Sequence, residues 1–316
     1  MTDTTSSAKK PQPPGARGVS STRPFQVLRP SGPYADLDSH RAWRPSVLQG
    51  DGRLLRMWYG GHDGATNRIL SAEQRPRDGW TRRGVSFEAG LAGTSDGAGV
   101  DAPSVVRTAD GFLMAYAGSD GTATRVHLAA STDGDRWRPS GPFPGAGASN
   151  GGGGGGDDGA DDATGSPSLL VLDDQLWLYY SRRLDDGRTV VVAAKSTDGT
   201  TWQTVGQVLG SHDGAGNVSE PWVVARDDDL LMLFVERHDD RSRTIGLATS
   251  LDGLAWTRLP LPLDLARRHH DAGVISGPSA LQLRGGRLNV WYAAGEEGDT
   301  DGGCRLWATE ITGRIG

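Results

Sequence analysis

The sequence predicts an all-β protein, a five-bladed β-propeller with four antiparallel strands per blade. Three observations carry this reading. A Pro-opened apolar segment recurs five times: Arg44-Pro45-Ser46-Val47, Ala102-Pro103-Ser104-Val105, Ser166-Pro167-Ser168-Leu169, Glu220-Pro221-Trp222-Val223 and Gly277-Pro278-Ser279-Ala280. Successive Pro residues stand 58, 64, 54 and 57 positions apart, room for one four-stranded sheet each. Four copies end in an Asp-Gly turn leading to a Trp: Asp78-Gly79-Trp80, Asp133-Gly134 before Trp137, Asp198-Gly199 before Trp202 and Asp252-Gly253 before Trp256. The fifth ends at Glu310-Ile311-Thr312-Gly313 with no Trp.

The elements follow in order within each copy. In the second, Asp101 to Arg107 reads as the inner strand, Asp110-Gly111 as a turn and Phe112 to Ala117 as the next strand. Ser119-Asp120-Gly121 turns again, Arg125 to Ala130 is the third strand, and an outer strand lies around Trp137. Inner strands such as Val223-Val224-Ala225 are continuously apolar, as burial on both faces demands. Outer strands alternate, as in Thr201-Trp202-Gln203-Thr204-Val205, which suits half-exposed edges. The blades are expected over about residues 40–90, 95–140, 165–210, 212–262 and 270–316. The fifth copy has only three strands. A spare strand over 24–30, with Phe25-Gln26-Val27-Leu28-Arg29 at its centre, is expected to pair as its outer strand and close the ring, removing an exposed edge.

Two segments fall outside the pattern. Residues 1–23 are polar and rich in Pro and Ser, and read as a disordered tail. Residues 141–165, with Gly151 to Gly156 in a row and Asp157, Asp158, Asp161 and Asp162, read as a flexible acidic insert.

Bulk properties narrow the function. The 316 residues include 47 Gly, consistent with many tight turns. A formal charge of −6 argues against a nucleic-acid partner. No apolar run has membrane-spanning length, so no membrane partner is expected. No apolar signal region opens the sequence, and the expected location is cytoplasmic. The one cysteine, Cys304, rules out an internal disulfide and is expected to be a strand residue of the last blade.

Because strands alternate in direction, the starts of all inner strands and the turns between second and third strands share one end of the ring. That end gathers the unusual polar residues. The segments leading into inner strands read Asp96-Gly97-Ala98-Gly99-Val100-Asp101, Asp213-Gly214-Ala215-Gly216-Asn217-Val218-Ser219-Glu220 and Asp271-Ala272-Gly273-Val274-Ile275-Ser276. The turns carry Gly61-His62-Asp63, Arg182-Arg183, Glu236-Arg237-His238 and Glu296-Glu297. A central pocket is expected there.

The x-Pro openings, second strands such as Arg56-Met57-Trp58-Tyr59-Gly60-Gly61, and the run Ala130-Ser131-Thr132-Asp133-Gly134-Asp135-Arg136-Trp137 resemble the five-bladed propeller glycosidases: the arabinanase and β-xylosidase type and the related invertase and levansucrase clan. The resemblance covers roughly residues 25–313. It implies a sugar or sugar-like small-molecule substrate. In the arabinanase type an Asp base, an auxiliary Asp and a Glu acid directly precede the Pro of the first three inner strands. Here those positions hold Arg44, Ala102 (with Asp101 one place earlier) and Ser166. Only the fourth blade has an acid there, Glu220, so the trio does not carry over.

Glycoside cleavage needs one acid to protonate the leaving oxygen and one carboxylate to activate water or attack. The catalytic candidates are Glu220, Asp101, Glu236 and Asp271, with His270 beside Asp271 as an acid–base group. For the two aspartates the alternative is turn capping; for Glu220 it is a rim salt bridge. Substrate-binding candidates are Trp43, Arg44, His62, Arg182, His212, Trp222 and His238. Arg44 suits an anionic group such as a carboxylate or phosphate, and its alternative is an ion pair with Asp36 or Asp38. Trp222 could equally be core. His127 lies mid-strand and reads as structural. No zinc spacing occurs, and no cofactor is expected. The resemblance allows a central-channel ion such as calcium, with His270 and Asp271 its contributors. Three functions stay open: a glycoside hydrolase-like enzyme, a cyclase, isomerase or lyase of small-molecule biosynthesis on the same fold, and a non-catalytic carbohydrate- or protein-binding propeller.

Overall fold

The structure is a computed structural model that describes residues 20–28, 32–76, 78–145, 164–211, 217–238, 242–259, 274–283, 285–295 and 303–312. Two short strands, β1 (Ser20–Ser21) and β2 (Phe25–Gln26), precede the first blade of β3 (Arg41–Gln49), β4 (Leu55–His62), β5 (Asn67–Gln74) and β6 (Trp80–Phe87). The second blade is β7 (Gly99–Thr108), β8 (Gly111–Ser119), β9 (Thr124–Ser131) and β10 (Arg138–Pro142). The third is β11 (Thr164–Leu172), β12 (Gln175–Arg183), β13 (Thr189–Ser196) and β14 (Gln203–Leu209). The fourth is β15 (Asn217–Ala225), β16 (Leu230–Arg237), β17 (Arg243–Ser250) and β18 (Thr257–Arg258); the fifth is β19 (Val274–Gln282), β20 (Leu288–Gly295) and β21 (Arg305–Thr312). Every sheet is antiparallel, and no helix occurs among the described residues.

The fifth sheet takes its outer strand from the other end of the chain, as the sequence predicts. Phe25 pairs with Ala308 and Gln26 with Trp307 on β21. Pairing starts earlier than expected: Ser20 and Ser21 face Thr312 and Ile311, so part of the segment assigned to the 1–23 tail is strand. The insert is also narrower than 141–165. Gly141 and Pro142 pair with β9, and Phe143 is buried among Tyr180 and Trp202 because an apolar ring at a blade seam gains more from burial than from solvent. Its far end, Thr164 and Gly165, pairs with β12.

The core divides into five apolar clusters, one per seam between neighbouring blades. Inner strands β3, β7, β11, β15 and β19 each neighbour the next, and β19 returns to β3. Polar pins cross these seams close to the axis. Ser46 Oγ accepts the Val105 N–H at 3.0 Å, Ser104 Oγ that of Leu169 at 2.8 Å, and Ser168 Oγ that of Val223 at 3.0 Å. In the fourth blade Trp222 replaces the serine, and its indole N–H donates to the Ala280 carbonyl at 3.0 Å. The fifth blade has the serine, Ser279, but its buried Oγ has no hydrogen-bond partner among the described residues. Cys304 is buried in the fifth–first seam, one residue before β21.

Three of the four Asp-Gly turns, those of the second, third and fourth blades, are built alike. In Ser131-Thr132-Asp133-Gly134, Ser131 Oγ accepts the Gly134 N–H at 2.8 Å, and Asp133 Oδ1 accepts those of Asp135 and Arg136 at 2.8 and 2.9 Å. The same set recurs at Ser196-Asp198-Gly199 and Ser250-Asp252-Gly253. These backbone donors hold the three carboxyls below their ordinary range, Asp133 to about 2. The following Trp lies just before the outer strand in three blades, at Trp137, Trp202 and Trp256, rather than within it. Trp202 and Trp256 donate their indole N–H to the Gly199 and Gly253 carbonyls, so β14 and β18 begin just after them.

Candidate functional site

Five inner strands each break register at their x-Pro pair, skipping from Trp43 to Ser46, Asp101 to Ser104, Gly165 to Ser168, Ser219 to Trp222 and Ser276 to Ser279. Pro lacks an N–H for the ladder, so the pair bulges out of it. The residue before each Pro is left-handed: φ is 47° at Arg44, 48° at Ala102 and Ser166, 52° at Glu220 and 55° at Gly277. Four of these carry side chains in a region costing roughly 1–2 kcal/mol per non-glycine residue. Such strain persists where surrounding structure over-determines it, and it gathers at functional sites. The bulges turn these residues to the axis. Arg44, Ala102, Ser166, Glu220 and Gly277, their prolines and Trp222 line a central cavity of about 20 Å³.

Three chains of contact meet there. Arg44 Nη1 donates to Asp101 Oδ2 at 2.8 Å, and Nη2 to Glu220 Oε1 at 3.1 Å. The guanidinium, from the first blade, thus bridges carboxylates from the second and fourth. Glu220 is 2% exposed. Its Oε2 accepts the Gly277 N–H, and its own N–H donates to Ser181 Oγ at 2.9 Å. Arg44 lies over the Trp43 ring, 4.9 Å from its centroid, and Arg41 lies 5.0 Å from the same ring. Gly60 makes the approach of β7 to β4 feasible. A Cβ there would stand 1.9 Å from Asp101 Oδ1 and 2.5 Å from the Trp43 indole. Gly277 acts likewise, since its Cβ would fall 2.6 Å from the Arg44 Cα.

The structure therefore brings together Arg44, Asp101, Glu220, Trp43 and Trp222. Arg44 does not pair with Asp36 or Asp38. Asp38 is taken by Arg82, at 2.8 and 2.9 Å, and by the Tyr59 hydroxyl at 2.8 Å. Trp222 is at once core and cavity wall.

Other candidates lie apart from the cavity lining. Glu236 binds Arg258 of the outer strand β18 at 3.0 Å, because its place at the end of β16 faces that strand. His62 packs against His40 with ring centroids 5.2 Å apart, and its Nδ1 accepts the Gly64 N–H. Burial, His40 and Arg41 push its pKa down. His238 Nε2 lies 3.0 Å from Thr244 Oγ1 on an exposed turn, and Arg182 is exposed at the end of β12. His212, His270 and Asp271 lie outside the described residues.

Ser166 and Ser181 escaped the sequence reading as site residues. Ser166 could have been found by aligning all five pre-Pro positions as one ring. Ser181 gave no such signal, since it reaches Glu220 only through the stacking of blades. Among the described residues no group of three His, Cys, Asp or Glu side chains is placed to hold a metal ion. Of the residues expected to hold a channel ion, His270 and Asp271 lie outside the described residues, and the two described channel carboxylates, Asp101 and Glu220, are both bonded to Arg44.

No protein-family model matches the chain, and no curated protein matches it. Solved structures do. A thermostable family-43 glycoside hydrolase is 15% identical with a TM-score of 0.66, over 86% of this chain and 93% of that one. An endo-arabinase from Bacteroides thetaiotaomicron is 17% identical with a TM-score of 0.64, over 89% and 97%. An endo-1,4-β-xylanase from the same organism is 14% identical with a TM-score of 0.63, over 86% and 94%. The likeness establishes a shared fold: the chain has the five-bladed propeller of these glycoside hydrolases.

Proposed function

We propose that the chain is a glycoside hydrolase-like propeller enzyme. It acts on a sugar or sugar-like small molecule bearing an anionic group, at the mouth of the central channel. Glu220 and Asp101 are its working carboxylates, and Arg44 is the anion-recognising group between them. The observation that carries this reading is the convergence of these three side chains on the axis from separate blades. The fold shared with glycoside hydrolases supports it.

The geometry constrains the chemistry. A cavity of about 20 Å³ has room for about one water, so a sugar ring rests above the x-Pro ring and only a substituent reaches down. With Arg44 bonded to both carboxylates, neither is presented as a proton donor. An anionic substituent docked on Arg44 displaces one of them as its partner. Glu220 is the more buried, and a buried charge losing its partner is costly, so Glu220 takes the proton and acts as the acid. Asp101 stays with Arg44 and orients water as the base.

The presence of Arg44 where the arabinanase type carries its base favours a second reading. In it the same groups perform acid–base chemistry without hydrolysis, as a cyclase, isomerase or lyase.

Turnover of aryl glycosides, neutral and uronic, separates these. Wild type should cleave uronic over neutral glycosides, and Glu220→Gln should lower kcat by roughly 100-fold or more while substrate still binds. Turnover unchanged in both Glu220→Gln and Asp101→Asn would eliminate the site. Anionic sugars that bind wild type without being cleaved would favour the second reading.

A further inference from the structure

The second blade holds a serine, an imidazole and a carbonyl in line, away from the channel. Ser95 lies in the segment leading into β7 and is half-buried; His127 on β9 is 1% exposed. Ser95 Oγ is 2.8 Å from His127 Nε2, and His127 Nδ1 is 3.0 Å from the Arg125 carbonyl oxygen. A carbonyl oxygen has no hydrogen to give, so Nδ1 is the donor. In the neutral ring the lone pair is then on Nε2, and the Ser95 hydroxyl donates to it. This is the order nucleophile, base, orienter.

The imidazole is held rigidly. It stacks on Tyr116 with centroids 5.2 Å apart and an interplanar angle of 27°. The Tyr116 hydroxyl donates to Asp96 Oδ2 at 2.9 Å, and Thr94 Oγ1 donates to Asp96 Oδ1 at 2.8 Å. Asp96 thereby ties the segment carrying Ser95 to the strand beneath the ring. Burial pushes the His127 pKa down, which favours the neutral, base-competent form. The backbone N–H groups of Ser95 and Asp96 donate to no described residue. The nucleophile's own N–H and that of the following residue are both used as oxyanion donors in acyl-transfer sites. Leu91, on the same turn, is 82% exposed and offers an acyl chain an apolar contact.

We propose that Ser95 and His127 form a second catalytic site that hydrolyses small carboxylic esters, with the Arg125 carbonyl as the positioning group. Ser95 Oγ bonds to the acyl carbon as its proton passes to His127 Nε2. The bond from that carbon to the alkoxide breaks, and Nε2 returns the proton to the departing alcohol. Water then attacks the acyl-serine, giving its proton to Nε2. The acid leaves and Ser95 recovers the proton. The products are one alcohol and one carboxylic acid, with no other reactant. This site does not depend on the channel chemistry.

The test is labelling of the full chain by a fluorophosphonate at mildly alkaline pH, read by peptide mapping. The native protein should carry one adduct, on Ser95. Heat denaturation or Ser95→Ala should abolish it, and His127→Gln should slow it by roughly 100-fold. p-Nitrophenyl acetate should give a stoichiometric burst of p-nitrophenol that Ser95→Ala lacks. Native protein left unlabelled at Ser95, labelling that proceeds equally after denaturation, or ester hydrolysis unchanged in Ser95→Ala would each overturn the proposal. Ser95 lies on a surface turn, so its variant decides the matter even where His127→Gln does not fold.

Discussion

The Asp-Gly turns and the x-Pro bulges both repeat around the ring, but they repeat different things. At three of the turns, side chains and bonds recur together: Ser131, Ser196 and Ser250 bond the backbone in the same way, as do Asp133, Asp198 and Asp252. At the bulges only the backbone recurs. Five residues share φ between 47° and 55°, yet they are Arg44, Ala102, Ser166, Glu220 and Gly277. A side chain kept from blade to blade serves the blade. A conformation kept while its side chain changes serves something unique at the axis.

The comparison can be broken from either side. The largest expected effect is at the axis. Glu220→Leu leaves Arg44 with one carboxylate fewer in a buried setting and should destabilise by about 3–5 kcal/mol in urea unfolding. A loss below about 1 kcal/mol would mean that the pairing is a rim contact. Gly277→Ala comes next, at roughly 2–3 kcal/mol, because its Cβ meets the Arg44 backbone. Unchanged stability there would show that the ring can widen. The seam pins give a smaller, paired test. Ser104→Ala orphans the buried Leu169 N–H and should cost about 1–2 kcal/mol. Ser279→Ala removes a hydroxyl with no partner among the described residues and should stay within about 0.5 kcal/mol of wild type. Equal losses would refute the seam asymmetry.

The smallest effect is on the turns. The folded pKa of Asp133 is about 2, below the roughly 3.9 of an unfolded aspartate. Its stabilising contribution is therefore complete above pH ~4 and is lost as pH falls toward 2. Asp133→Asn should flatten that part of an acid-unfolding curve. An unaltered curve would remove the turn carboxylates from the account of acid sensitivity.

Much of the ring was legible in the sequence. The period between prolines, continuous apolar inner strands and Asp-Gly turns are short-range signals, and the structure follows them to within a few residues. The misplacements came from residues whose role depends on a neighbouring blade. Phe143 looked like the start of a Gly-rich insert, yet it fills a seam against Tyr180 and Trp202. Ser20 and Ser21 looked like tail, but an open edge of β21 needed partners. The site was legible by position and not by partner. Glu220 and Asp101 stood out as acids near the x-Pro pairs. Glu236 stood out equally, and Arg258 of an outer strand claims it.

The sequence by itself determined five blades and their strand order. Those properties arise from hydrophobic period and turn chemistry, which act over a few residues at a time. Only the tertiary structure decided that Arg44 passes over Asp36 and Asp38 to bind Asp101 and Glu220, 57 and 176 positions away. A charge pairs with whatever comes within hydrogen-bonding distance, and ring closure, not spacing along the chain, sets which groups do.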